Sequence, residues 1–126
     1  MLPLAERIAE ARRLLHGHYG FQDFRPLQRR VVQSVLAGRD TLAVLPTGGG
    51  KSICFQVPAL VEGGLTVVIS PLLALMQDQM AQLTRRGIPV GSLSSLQSAE
   101  AQQATLARIG RNELRLLYVS PERALR

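Results

Sequence analysis

Residues 45–52 combine glycines, a lysine and a hydroxyl in the order LPTGGGKS, which is the chemistry of a phosphate-binding loop. Successive glycines let the backbone curl so that neighbouring N–H groups face one point, where they can bind phosphate together with the N-terminus of a following helix. Lys51 would reach the β- and γ-phosphates of a nucleotide, and the Ser52 hydroxyl would bind Mg²⁺. The predicted nucleotide-binding residues are Pro46, Thr47, Gly48, Gly49, Gly50, Lys51 and Ser52, and the last two are the predicted catalytic residues.

The loop departs from the strict pattern G-x-x-x-x-G-K-[ST] at its first position, where Leu45 stands. The alternative interpretation is a glycine-rich turn with a surface lysine. An apolar run before the loop and a helical pattern after it favour phosphate binding. Fourteen of the fifteen basic residues are arginine, so no second lysine could take the role of Lys51.

A second group of residues, upstream of the loop, could recognise an adenine base. Gln28 could form two hydrogen bonds with adenine through N6 and N7, and Phe21 offers a flat face for stacking. Arg25 could help to hold the base or the phosphates. The alternative is a structural helix start, Arg25-Pro26, with Gln28 solvated.

The first half of the chain reads as helices around one short strand. Residues 3–16 have an amphipathic pattern with Leu4, Ile8, Ala11 and Leu15 on one face. Arg25-Pro26 opens a second helix that ends at Gly38, and its apolar residues Leu27, Val31 and Val35 recur every four residues. Thr41–Leu45 is a short apolar run of strand type. A helix follows from Lys51, and Pro58 should kink or end it.

The second half alternates strands and helices. The predicted strands are Leu65–Ser70, which reads as a continuous buried run, Pro89–Leu93 and Leu114–Val119. Ser70-Pro71 should begin a helix that reaches Arg86, with Leu72, Leu73, Met76, Met80 and Leu83 inside, and residues 97–109 form another helix. Ser120-Pro121 should begin a last helix, with serine as N-cap and proline in the first turn.

This alternation predicts an α/β fold with a mainly parallel sheet. Parallel strands end at a common edge, so Thr47, Ser70 and Ser120 should converge there.

Composition sets broad limits. The chain has 126 residues, one domain's length or less, and a formal net charge of +6, which suits a nucleic acid or nucleotide partner. The single Cys54 excludes an internal disulfide and favours a reducing compartment, so we expect a cytoplasmic location. His16 and His18 have no cysteine nearby and are not expected to bind metal. No apolar stretch reaches membrane-spanning length.

Four motifs, in order, resemble those of RecQ-type DNA helicases, members of helicase superfamily 2. They are residues 19–28 (YGFQDFRPLQ), residues 45–60 (LPTGGGKSICFQVPAL), residues 68–79 (VISPLLALMQDQ) and residues 116–123 (LLYVSPER). The resemblance implies a three-layer P-loop, RecA-like domain that is incomplete at its C-terminus. Residues 1–38 would form a helical segment with the adenine-recognition motif, and residues 39–126 the first part of the ATP-binding domain.

The same resemblance implies an ATP-dependent enzyme that moves 3′ to 5′ on DNA and unwinds it, with ATP and Mg²⁺ as cofactors. Phe21, Arg25 and Gln28 would form the adenine pocket, although the family often has tyrosine where Phe21 stands. Single-stranded and duplex DNA would be the partners. The implied DNA contacts are Ser70, Pro71, Leu72, Ser94 and Ser95.

ATP hydrolysis needs an acidic residue on Mg²⁺ and a group that orients the attacking water. In the family an Asp-Glu-x-His box supplies both, and this sequence does not contain that box, the arginine fingers or the second motor lobe. We therefore expect nucleotide binding without turnover from this fragment alone. The alternatives are another superfamily 2 motor such as an RNA helicase, a truncated non-catalytic nucleotide- or DNA-binding module, and a P-loop kinase, which would need a lid and a further arginine cluster.

Overall fold

Helices dominate the computed structural model, which describes residues 2–45 and 50–125. Within these residues the elements are α1 (Leu4–Tyr19), α2 (Pro26–Leu36), α3 (Ile53–Glu62), β1 (Thr66–Ile69), α4 (Leu73–Arg85), β2 (Val90–Leu93), α5 (Ala99–Gly110), β3 (Leu116–Val119) and α6 (Pro121–Ala124). They fall into two compact units, which divide between Gly63 and Gly64.

The first unit is a packed group of three helices, in which α1, α2 and α3 all touch one another. The predicted first helix is present but continues beyond its predicted end at residue 16, through Gly17 to Tyr19. Ala11 and Leu15 on its inner face are fully buried. Its C-terminus is capped by Gly20 in the left-handed conformation. The core of this unit consists of Ala11, Leu15, Phe24, Val32, Leu36, Ile53 and Val57.

The second helix begins where the sequence predicts, with Pro26 in its first turn. The residues that it buries are not the predicted ones, however, but those one position further along the chain: Gln28, Val32 and Leu36. The predicted row is more open, since Leu27 is exposed and Val31 and Val35 are half-buried. Both rows have helical spacing, and the choice between them depends on where α1 and α3 pack.

Pro58 lies inside α3 and does not end it, because the helix continues to Glu62 and stops at Gly63, which has a φ of 75°. Of the two expected outcomes, a kink or an end at Pro58, the end is therefore wrong. A proline removes one backbone hydrogen bond. This helix is apolar over most of its surface, and the burial of Ile53, Cys54, Val57 and Ala59 outweighs that loss.

The predicted strand at Thr41–Leu45 is not formed, because residues 41–45 have no regular secondary structure. Leu42 is 93% exposed and Val44 87% exposed. A strand requires hydrogen bonds from a neighbouring strand. No strand in the described residues pairs with this segment, so its apolar pattern alone was not sufficient.

The second unit contains a parallel three-stranded sheet of order β1-β3-β2. This confirms the predicted α/β class and the three strands of the second half. The central strand β3 is buried at every position, as expected for a strand with neighbours on both sides. Helices α4 and α5 contact β2. A Cβ on Gly91 of β2 would lie 2.8 Å from a methyl carbon of Leu114, just before β3, and 3.3 Å from the methyl carbon of Thr105 in α5.

Strand β1 corrects the prediction of a continuous buried run. Its residues alternate between half-buried and exposed, with Val67 and Ile69 on the exposed side. It is an edge strand that pairs only with β3 in the described part of the chain. A continuous apolar run indicates that both faces are suited to burial, but burial itself requires something to cover each face.

The start of α4 also differs from the prediction. The helix begins at Leu73 with Leu72 as N-cap, two residues beyond Ser70, and the Leu72 N–H lies 3.4 Å from Ser70 Oγ. Met76 and Leu83 are buried as predicted, whereas Leu72 is exposed because it precedes the helix. In contrast, Ser120 is the N-cap of α6 and Pro121 its first residue, as predicted.

Candidate functional site

The three residues of the predicted adenine pocket lie together in the first unit. Phe21, Arg25 and Gln28 line one cavity of about 140 Å³, with Asp23, Gly50 and Ile53 completing its wall. Phe21 is half-exposed, so part of its side chain is accessible to a ligand. The turn at Gly20 and the start of α2 bring the aromatic ring, the guanidinium and the amide into this one place.

Gln28 joins the start of α2 to the end of the phosphate loop. Its Oε1 accepts a hydrogen bond from the Arg25 backbone N–H at 2.9 Å, and its Nε2 donates to the Gly50 carbonyl at 3.2 Å. These two partners determine the orientation of the Gln28 amide, because its oxygen must face the Arg25 N–H and its nitrogen must face the Gly50 carbonyl. The side chain is 4% exposed, so the alternative in which Gln28 is solvated is wrong.

Gly50 is the point where α2 and the loop meet. Its φ of 72° belongs to the left-handed region that favours glycine. A Cβ at this position would overlap with the Nε2 atom of Gln28. Two independent constraints therefore require glycine at the last position of the triple-glycine run.

The remainder of the predicted phosphate loop is described only at its C-terminal side. Pro46, Thr47, Gly48 and Gly49 lie outside the described residues. Lys51 is exposed and forms a turn with Ser52, which is half-buried and immediately precedes α3. A cavity of about 290 Å³ extends from Lys51 along the side chains of Val31, Val35, Thr41, Ala43, Leu45, Cys54 and Phe55.

The donor set near the loop is compatible with Mg²⁺ in one respect. Ser52 supplies a hard hydroxyl oxygen, and Mg²⁺ commonly completes its shell with phosphate oxygens and water. No group of three His, Cys, Asp or Glu residues that could hold a metal occurs in residues 2–45 or 50–125.

Asp23 holds together the predicted adenine segment, although its sequence pattern did not mark it as a site residue. Its carboxylate accepts hydrogen bonds from the Phe24 N–H at 2.7 Å, from Arg12 at 3.2 Å and from Arg29 at 2.7 Å. The Phe24 N–H, followed by the two guanidinium charges, lowers the pKa of Asp23. The carboxylate thus links α1 to α2 next to the cavity. An acid two residues before Arg25 was the only local signal for this role.

Cys54 is buried within the helical first unit. Its side chain is buried in the first turn of α3, and burial raises the pKa of the thiol. A buried neutral thiol is a poor nucleophile. Its environment therefore indicates a packing role.

The second unit carries a row of three serines at the carboxyl edge of its sheet. Ser70, Ser94 and Ser120 directly follow β1, β2 and β3, and the last residues of those strands are in register. The Ser70 N–H donates to the Val119 carbonyl at 3.1 Å, and the Ser120 N–H donates to the Leu93 carbonyl at 3.1 Å. The predicted convergence at one edge is confirmed for Ser70 and Ser120, whereas Thr47 lies outside the described residues.

The predicted DNA contacts differ in accessibility. Pro71, Leu72 and Ser95 are exposed and Ser70 is half-buried. Ser94 is buried, and its Oγ accepts the Leu96 N–H at 3.0 Å. A cavity of about 190 Å³ lies beside it, lined by Leu73, Met76, Gln77, Met80, Ser92, Ser94, Leu96 and Gln97.

None of the helices that the structure describes is long and apolar enough to cross a lipid bilayer.

Comparisons with known proteins show similarity to helicases. Residues 25–126 match the DEAD/DEAH box helicase family. The chain is 50% identical over 107 residues to the ATP-dependent DNA helicase RecQ of Synechocystis, covering 85% of this chain and 22% of that protein. It is 45% identical over 126 residues to the ATP-dependent DNA helicase RecQ of Haemophilus influenzae, covering 98% of this chain and 20% of that protein. The probable ATP-dependent DNA helicase RecS of Bacillus subtilis is 42% identical over 109 residues, covering 86% of this chain and 22% of that protein. The chain spans about a fifth of the length of these curated relatives.

Proposed function

This chain belongs to the DEAD/DEAH box helicase family, and we propose that it is the nucleotide-binding portion of a RecQ-type ATP-dependent DNA helicase, which couples ATP to 3′–5′ movement on DNA. One observation carries the proposal. The buried Gln28 amide hydrogen-bonds to Gly50, so the adenine segment is attached directly to the phosphate loop. A single nucleotide can then contact both groups of residues.

Each residue has a defined chemical role in this proposal. Phe21 stacks on the adenine, Gln28 reads its N6 and N7 edge, and Arg25 contributes positive charge beside the cavity. Lys51 neutralises the β- and γ-phosphates, and the glycine-rich sequence of residues 47–50 would supply peptide N–H groups to them. Ser52 supplies a ligand to Mg²⁺, which supplies charge neutralisation on the phosphates when bound.

The proposed contact with DNA lies at the carboxyl edge of the sheet. Pro71 and Leu72 are exposed before α4, next to the half-buried Ser70, and Ser95 is exposed beyond β2. Backbone N–H groups and hydroxyls in such turns bind phosphate oxygens without reading the base sequence. Single-stranded DNA should therefore bind with little sequence preference, and its affinity should fall as salt rises. An RNA strand of the same sequence is the comparison that separates a DNA helicase from an RNA helicase.

The sequence has no Asp-Glu-x-His box, so the chain should bind ATP without hydrolysing it. The first measurement is the dissociation constant for ATP and GTP in the presence of Mg²⁺, together with the rate of phosphate release. Lys51→Ala should abolish binding of both nucleotides. ATP hydrolysis by the 126-residue chain that disappears in Lys51→Ala would contradict the expectation of binding without turnover.

Gln28→Ala tests the adenine pocket. Two hydrogen bonds to a base contribute about 1–3 kcal/mol of discrimination, so the preference for ATP over GTP should fall by about fivefold to 150-fold. Gln33→Ala is the matched control, because Gln33 is exposed on the same helix. Equal preference for ATP in the two variants would rule out Gln28 as the adenine reader.

A further inference from the structure

We propose that Tyr19 is a positioning residue, which acts through Gln56 to hold the adenine-recognition segment in place relative to the helix that follows the phosphate loop. The inference rests on the proposed nucleotide-binding function. The Tyr19 hydroxyl donates a hydrogen bond of 2.6 Å to Gln56 Oε1. This bond joins two segments that are 37 residues apart in the chain, α1 and α3.

On one side the bond is close to the adenine cavity. Tyr19 is the last residue of α1, and Gly20 turns the chain with a φ of 76°. Phe21, whose half-exposed ring lines the cavity, comes immediately after that turn. A fixed Tyr19 therefore limits where the Phe21 ring can lie.

On the other side the bond is close to the predicted phosphate and Mg²⁺ ligands. Gln56 lies one helical turn after Ser52, and its backbone N–H donates to the Ser52 carbonyl at 2.9 Å. The Gln56 side chain is 4% exposed, which keeps its amide in one place. The position of Lys51 and Ser52 at the start of α3 is thus linked to Tyr19 through one buried side chain.

A nucleotide must satisfy both ends of this site at once. When the two ends are held at a fixed separation, the second contact is made without a further loss of freedom, and the affinity for the whole ligand exceeds that for its parts. Removal of the Tyr19–Gln56 bond should loosen this separation. The affinity for ATP should fall, whereas the affinities for the base alone and the phosphates alone should not change.

Tyr19→Phe removes only the hydroxyl. We expect it to weaken binding of Mg²⁺-ATP by about threefold to tenfold, the range of one hydrogen bond. Its affinities for adenosine and for Mg²⁺-tripolyphosphate should remain at those of the unmodified chain. Titration calorimetry, with competition against ATP for the weak ligands, measures all three.

Tyr118→Phe is the matched control. Tyr118 is the only other tyrosine, and its hydroxyl also donates to a glutamine Oε1, that of Gln79, at 2.6 Å. The chemical change and the expected loss of stability are therefore similar, but this pair lies in the second unit. Tyr118→Phe should leave the affinity for ATP unchanged.

Gln56→Met provides a second variant, which removes the acceptor and keeps the length of the side chain. It should reduce ATP affinity like Tyr19→Phe, and the double variant should show no additional loss. Unchanged ATP affinity in Tyr19→Phe, or an equal loss for all three ligands, would overturn the positioning role. Loss of binding in Lys51→Ala would still support the proposed function in that event, whereas an unmodified chain that binds no ATP would refute both.

Discussion

Replacement of Gly50 by alanine should destabilise the first unit through two separate effects. The first is the backbone: a φ of 72° costs a residue with a side chain roughly 1–2 kcal/mol. The second is the overlap between the new Cβ and Gln28 Nε2. Displacement of this amide would break its hydrogen bonds to the Gly50 carbonyl and the Arg25 N–H, each of which contributes about 0.5–1.5 kcal/mol. The free energy of unfolding should therefore fall by about 2–5 kcal/mol.

Gly63→Ala isolates the backbone effect. Gly63 ends the same helix, α3, with a φ of 75°, and a Cβ there would meet no atom within 4 Å. The free energy of unfolding of Gly63→Ala should fall only by the roughly 1–2 kcal/mol that the left-handed conformation costs a residue with a side chain. The difference between the two glycine variants, about 1–3 kcal/mol, then measures the displacement of Gln28.

Urea unfolding followed by circular dichroism gives both values, provided that the slope against urea does not change. In a Gln28→Ala background the amide is absent, so the two glycine variants should differ by less than about 0.5 kcal/mol. Equal destabilisation by Gly50→Ala and Gly63→Ala in the unmodified background would refute the claim that Gln28 packs against Gly50.

Three further predictions concern single side chains. The pKa of Asp23 lies below its ordinary value of 3.8, so the stability that its carboxylate contributes is complete above pH 3.8 and is lost as the pH falls through the folded-state pKa. Asp23→Asn should therefore lower the urea midpoint at pH 7 and make the midpoint less dependent on pH below about pH 4. Parallel pH profiles of the urea midpoint in the two chains would contradict this. Burial raises the pKa of Cys54, so iodoacetamide should alkylate the native chain at pH 8 much more slowly than the chain in urea, and similar rates would be inconsistent with a buried thiol. Tyr118→Phe should lower the free energy of unfolding by about 1 kcal/mol, and an unchanged urea midpoint would show that the bond to Gln79 contributes nothing.

Local signals in the sequence were sufficient to predict most of the elements. Pro26 at a helix start and Gly87 after a helix end are features that a few neighbouring residues determine, and α2 and α4 formed close to their predicted positions. The apolar runs of β2 and β3 likewise became parallel strands. The grouping of Phe21, Arg25 and Gln28 around one cavity was also predictable, because these residues lie within one short motif.

Features that depend on distant partners were not predictable in the same way. Thr41–Leu45 has the composition of a strand, but strand formation also requires a neighbour, which no pattern within five residues reveals. The choice between the Leu27 row and the Gln28 row of α2 was decided by packing against other helices. The Tyr19–Gln56 bond joins two residues with no local relation, so only the folded arrangement could identify it.

The exposed side chain of Lys51 has a practical consequence, because it is the only lysine of the chain. Reagents that acylate side-chain amines would modify this one position and leave the fourteen arginines untouched. Modification assigned to Lys51 by peptide mapping, which separates it from modification of the α-amine of the chain, would therefore report occupancy at a single known atom. A bound nucleotide that covers the Lys51 amine would be detected as protection without any engineered label.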